Sequence, residues 1–130
     1  MRFPGRGGGE PEEMADDNTI LVRRTLRSGQ SLHFEGNVVI LGDVNPGAEV
    51  VATGNVVVMG ALRGVVHAGA DGDSTAAVYA FRLQPTQLRI AGHITRAPDG
   101  EGSLSCAPET ARVRDGLVVI EVFPAGPERL

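Results

Sequence analysis

The chain has almost nothing aromatic to build a core around: no Trp, one Tyr and four Phe in 130 residues. Hydrophobic residues still make up 42%, so the core is expected to be thin and aliphatic. Cysteine is nearly absent too. Cys106 stands alone, which excludes a disulfide within the chain and fits a reducing compartment. No apolar run approaches the roughly 20 residues that a membrane-crossing helix needs. The opening stretch, MRFPGRGGGEPEEMADDN, lacks the apolar middle of a signal peptide. These absences read as a soluble, cytoplasmic protein. Positive charge is not in excess: the net charge is −4. That argues against a dedicated nucleic-acid binder, which needs clustered Lys and Arg for phosphate contacts.

Catalytic patterns are missing as well. The sequence contains no HExxH, CxxC or GxSxG. His33, His67 and His93 are scattered, and His67 and His93 read as solvated wall residues. GRGGGE near the start has no strand before it and no Lys-Ser/Thr after it, so it is not a phosphate loop. DGDST at 71–75 resembles a calcium loop only superficially, because the remaining ligand positions are absent. The chain is expected to be no enzyme and to carry no metal and no cofactor.

What is present is glycine and a repeat. Glycine accounts for 18 of 130 residues, against a usual share of about 7%. GNVVILGDV at 36–44 returns as GNVVVMGAL at 54–62, displaced by 18 residues. The stretch divides into sixes: GNVVIL, GDVNPG, AEVVAT, GNVVVM, GALRGV, VHAGAD. Three sixes make one period, one short strand and one corner for each side of a triangular coil. Frequent Gly and β-branched residues oppose a helical reading. Alternation places Val38, Ile40, Val44, Val50, Ala52, Val56, Val58, Leu62, Ala68 and Ala70 on one parity, inside the coil. They are small and aliphatic, as a narrow prism requires. TILVRRTL from Thr19 reads as a first strand, RSGQ as a turn, and SLHF as an extended segment. AVYAFRL at 77–83 reads as another strand. LRIAGHI at 88–94 echoes VVILGDV, with Leu88 and Ile90 matching Val38 and Ile40. The longer interval before it implies an enlarged coil, with DGDST or QPTQ bulging out. APDGEGSLS at 97–105 reads as a loop. ARVRDGLVVIEV reads as a hairpin turning at Asp115-Gly116 and capping the last coil. Residues 1–18 read as a disordered linker, 19–123 as the folded domain and 124–130 as a flexible tail.

Val39, Leu41, Val57 and Met59 fall on the outward parity yet are apolar. They form a patch that suits a twofold homodimer interface. A C-terminal segment folded over the patch is the other reading. Arg27, Glu49 and Arg63 place long charged groups at corners, either solvated or ready for a partner.

The stretch TLRSGQSLHFEGNVVILGDVNPGAEVVATGNVVVMGALRGVVHAGADGD, with RIAGHI after it, resembles the C-terminal domain of the bacterial septum-site-determining protein MinC. The likeness covers residues 19–122 and rests on LRSGQ, GDVNPGAEVVA, LRG, HAGA and IAG in the family's order. It implies an all-β fold, a right-handed triangular parallel β-helix that dimerises through one face. It further implies that Arg27, Ser28, Gly29 and Gln30, with Glu49 and Arg63, bind the membrane-associated ATPase MinD. MinD then carries the protein to the inner face of the membrane, where FtsZ assembly away from midcell is opposed. Family members carry a separate N-terminal domain that is the stronger inhibitor of FtsZ. Only about 18 residues precede the β-helix here, so dimerisation and MinD binding are implied for this chain and direct FtsZ contact is not. Without the resemblance, two other readings stand: a hexapeptide-repeat acyltransferase with a His general base, and a self-polymerising β-helix scaffold.

Overall fold

Alternating small aliphatic residues punctuated by glycine favour short strands with tight corners, and strands are what form. The computed structural model describes residues 13–15, 18–95 and 107–123. Residues 1–12 and 16–17 of the stretch read as a tail at 1–18, the tail at 124–130, the loop at 97–105 and Cys106 lie outside the described residues. Twelve strands and no helix occur among those described: β1 (Glu13–Ala15), β2 (Thr19–Val22), β3 (Ser31–Phe34), β4 (Asn37–Ile40), β5 (Glu49–Ala52), β6 (Val56–Leu62), β7 (Val65–Ala68), β8 (Ala77–Leu83), β9 (Gln87–Ile90), β10 (His93–Thr95), β11 (Glu109–Arg114) and β12 (Leu117–Val122).

They wind into a triangular parallel β-solenoid. One side is a seven-stranded sheet, ordered β1-β2-β4-β6-β8-β11-β12; a second is a five-stranded sheet, ordered β10-β9-β7-β5-β3. The third side is narrow and consists of a column of bridges, Leu26 to Val44 to Leu62. Ile20 stacks on Val38 and Val38 on Val56, so the period of 18 is one full turn of the coil. The inward parity is buried as expected: Val38, Ile40, Val44, Val50, Val56 and Val58 are fully enclosed. Burying each such side chain contributes about 1.5–3 kcal/mol.

The repeated GN and GD pairs are corner devices. Asn37 Oδ1 accepts the backbone N–H of Asn55 at 2.8 Å and its Nδ2 at 3.2 Å. One rung on, Asn55 Oδ1 accepts the N–H of Ala77 at 2.8 Å. At the next corner, Asp43 Oδ1 accepts the N–H of Ala61 at 2.8 Å, while the N–H of Asp43 donates to Thr25 Oγ1 at 3.1 Å. A Cβ on Gly54 would collide with Asn37 Oδ1, and one on Gly60 with Asp43 Oδ1. Glycine is therefore required where the previous rung's polar side chain reaches across.

Several expectations are corrected. TILVRRTL is not one strand: β2 stops at Val22, the chain turns a corner, and Leu26 begins the narrow side. Glu13–Ala15, within the stretch read as a tail, pairs antiparallel with β2. LRIAGHI is not the counterpart of VVILGDV. Leu88 stacks on Val66, and Val66 on Val50, in the other sheet. The motif echo follows from every inward strand sharing one small-aliphatic alphabet, whatever its side. Ala70 leaves the core and is half-exposed, because Gly69 adopts φ 58° and turns the chain into the exposed loop 71–75. The third coil is enlarged, as expected, with Val56 opposite Val78. A bulge then sets Met59 and Gly60 against Phe81 alone, bringing Ala61 opposite Arg82 and Leu62 opposite Leu83. The C-terminal hairpin forms with its turn at Asp115-Gly116 and caps the last coil as expected, with Ala111 fully buried and Val113 and Val118 packed against the core; it does so by pairing antiparallel with β8 and extending the seven-stranded sheet.

Candidate partner-binding surfaces

The RSGQ turn stands at the corner between the narrow side and the five-stranded sheet. The N–H of Gln30 donates to Arg27 O at 2.9 Å, and Gly29 has φ 88°. Together these define a type II turn, whose third position favours glycine. The N–H of Arg27 donates in return to Gln30 Oε1 at 2.8 Å. The Gln30 amide thus clamps its own turn through its oxygen and has only its NH2 to offer outward. One rung below, Asn45-Pro46-Gly47-Ala48 repeats the same turn, with the N–H of Ala48 donating to Asn45 O at 3.0 Å and Gly47 at φ 90°. The N–H of Gly29 donates to Gly47 O at 2.9 Å and ties the two together. Arg27, Ser28, Gly29 and Gln30 are all exposed.

Glu49 joins this corner through its backbone, whose N–H donates to Gln30 O at 3.0 Å. Its carboxylate lies 3.5 Å from His33 Nε2 on the outer face of the five-stranded sheet. Arg63 is exposed on the narrow side; its carbonyl accepts Thr86 Oγ1 at 2.8 Å. The structure therefore gathers Arg27–Gln30 and Glu49 at one corner, sets Arg63 two rungs along from Arg27, and forms no Glu49–Arg63 ion pair. His67, expected as a solvated wall residue, is on the wall but half-buried, with its Nε2 3.0 Å from Ala91 O.

The second surface is the outer face of the seven-stranded sheet. Leu21, Val39, Val57 and Tyr79 stand in register across four strands. Beside them Leu41, Met59 and Phe81 are 42%, 45% and 47% exposed. Phe123 packs edge-to-face on Tyr79, with centroids 5.2 Å apart and planes at 76°. The C-terminal segment thus closes over the far end of the patch, while Leu41 and Met59 stay open. Val57, Met59, Tyr79, Phe81, Pro108 and Phe123 line a hollow of about 400 Å³ there. The sequence reading missed Tyr79, Phe81 and Phe123. Tyr79 and Phe81 continue the Val57 and Met59 columns at a spacing of 22 rather than 18, so the enlarged coil hid them.

Residues 20–123 match the family described as "Septum formation inhibitor MinC, C-terminal domain". A protein of Heliobacterium modesticaldum, named probable septum site-determining protein MinC, is 58% identical over 127 residues, 92% of this chain and 44% of that one. A protein of the same name in Symbiobacterium thermophilum is 62% identical over 104 residues, covering 80% and 45%. A solved structure titled "MinC:MinD cell division protein complex, Aquifex aeolicus" superposes with a TM-score of 0.77 at 37% identity, covering 85% of this chain and 90% of that one. The chain spans about half the length of the curated relatives it matches. The repeating corners, the stacked RSGQ and NPGA turns and the match over nearly all described residues converge: the chain belongs to the MinC C-terminal domain family.

Proposed function

We propose that this domain is the MinD-binding, homodimeric part of a cell-division regulator that keeps septa from forming at the wrong sites. The observation that carries the reading is the exposed type II turn at Arg27–Gln30 in a chain 37% identical to a protein solved in a complex titled MinC:MinD. The turn presents a planar guanidinium, a hydroxyl and a glycine that lets a partner's backbone approach. It holds no base to activate the Ser28 hydroxyl, and binding rather than catalysis is its role. Glu49 and Arg63 extend the contact along the corner. The apolar face of Val39, Leu41, Val57 and Met59 pairs with its copy across a twofold axis. On this reading the domain works in the cytoplasm and reaches the inner face of the membrane through MinD. It opposes FtsZ assembly there as part of a larger assembly.

A nucleotide-dependent pull-down tests it. The chain is expected to be retained by MinD loaded with ATP and not with ADP, and to elute at twice its monomer mass by light scattering. Equal retention with either nucleotide, or none, refutes the MinD reading. A monomer mass refutes the dimer.

A further inference from the structure

β12 is the last strand of the seven-stranded sheet, and its far edge is unguarded. In a two-residue hairpin the closing pair exchanges both backbone bonds, and every second pair beyond it does the same. Here the closing pair is Arg114–Leu117. The N–H of Phe123 donates to Pro108 O at 2.8 Å, which fixes the same phase at the other end of the hairpin. Leu117, Val119 and Glu121 are therefore turned toward β11, and Val118, Ile120 and Val122 aim their N–H and C=O groups away from it. Among the described residues no strand pairs with that edge. The side chains of Val118, Ile120 and Val122 share the parity of Ala111, which is fully buried. Val118 packs on the core, while Ile120 and Val122 are 39% and 49% exposed. Sheet edges are ordinarily protected by Lys, Pro, a bulge or an exposed charge. LVVIEV has no Lys and no Pro, and its register with β11 is unbroken. Its one charge, Glu121, is drawn back over β11 by Arg114 Nη2 at 2.9 Å and Arg112 Nη2 at 3.3 Å.

We propose that β12 takes up an extended segment of a partner protein as an added strand, one with aliphatic residues at alternate positions and carboxylates between them. Main-chain bonds to Val118, Ile120 and Val122 supply the affinity, and the alternating side chains supply the selectivity. On the inner face the segment's aliphatic residues cover Ile120 and Val122. On the outer face its carboxylates answer an excess of positive charge, because two guanidiniums share the single carboxylate of Glu121. Asp115 at the turn forms an ion pair with neither arginine among the described residues. A second copy of this chain fits the edge less well: the carboxylate it would bring is Glu121, already held by its own two arginines. The site is separate from the RSGQ corner and does not depend on the MinD reading.

Titration of the full chain with a short synthetic peptide alternating Val and Glu, followed by amide NMR and hydrogen exchange, tests it. The Val118, Ile120 and Val122 amides are expected to exchange fast in the free chain and slowly in the bound one. A peptide alternating Val and Lys should bind more weakly. Ile120→Pro removes an outward N–H that the hairpin does not use. It should weaken binding about tenfold or more with circular dichroism unchanged, while Ile120→Val should bind as the parent does. If those amides already exchange slowly in the free chain, the edge is covered and the proposal is overturned. It is overturned equally if the parent ignores the Val-Glu peptide, if the Val-Lys peptide binds as well, or if folded Ile120→Pro binds like the parent. If the chain alone forms assemblies larger than a dimer and Ile120→Lys abolishes them, the edge pairs copies of this chain and the proposal falls.

Discussion

At Gly54 a single hydrogen atom in place of a side chain decides whether two rungs can stack. Asn37 Oδ1 occupies the space a Cβ would take while holding both the N–H and the Nδ2 of Asn55. Gly54→Ala is expected to break that pair of bonds and cost about 2–3 kcal/mol, read as a lower urea midpoint with an unchanged slope. Gly29 is the opposite case. Nothing lies within 4 Å of its missing side chain, so its role is conformational and external. Arg27→Ala or Gly29→Asp should abolish binding to ATP-loaded MinD while leaving dimer mass and circular dichroism unchanged. Loss of a buried arginine contact costs about 2 kcal/mol, roughly thirtyfold in affinity. Loss of the fold together with binding shows instead that the turn is structural. Asp73 offers a check on the 71–75 loop. Thr75 Oγ1 donates to its Oδ1 at 2.5 Å and the Thr75 N–H at 2.9 Å. These bonds, the side-chain one foremost, hold its carboxyl below the usual aspartate value. A depressed value favours the ionised form in the fold. Its contribution is present above the unfolded-state value near 3.8 and is lost as pH falls through the folded value. Thr75→Val should move the Asp73 carboxyl titration upward by NMR; an unmoved titration removes Thr75 as the cause.

Within the strands, one parity faces the core and the other the outside, so adjacent residues should respond oppositely to charge. Val58 is fully buried in β6 and Val57 is half-exposed beside it. Val58→Asp strands a carboxylate without a partner, costs several kcal/mol, and is expected to unfold the domain. Val57→Lys should retain the β-rich spectrum. Opposite outcomes reverse the assignment of inside and outside. The hairpin was legible because Asp115-Gly116 is a recognised two-residue turn, and both residues adopt positive φ, 56° and 80°. Its pairing partner was not legible. Joining β8 antiparallel is a choice among sheet edges, and nothing local to residues 109–122 encodes it.

For the molecule as a whole the question is which surfaces remain open. Among the described residues, β1, β12 and β10 close three of the four sheet ends with antiparallel strands, and β3 alone is a parallel edge left bare. That arrangement disfavours an endlessly stacking scaffold. The exposed side of the seven-stranded sheet remains the dimer candidate. Leu41→Glu combined with Met59→Lys should give a folded monomer by light scattering, because the charges disfavour burial of the face while the coil stays intact. An unchanged dimer mass moves the interface elsewhere, most directly to the hairpin.

The sequence by itself determined the coil: its period of 18, its inward parity through Ala68, its glycine corners and the RSGQ turn. These are local or repeat-to-repeat constraints, and a strict repeat writes its own register. Only the tertiary structure decided where the repeat breaks. The bulge at Met59-Gly60 and the four-residue step from Leu62 to Val66, in place of the six from Val44 to Val50, reset which residues stack. The longer connection between β7 and β8 brought Tyr79 opposite Val57 and onto the apolar face, and the bulge set Arg82 opposite Ala61. No fixed spacing relates those residues in the sequence. Their alignment follows from hydrogen bonds between rungs, and those form only once the chain has wound.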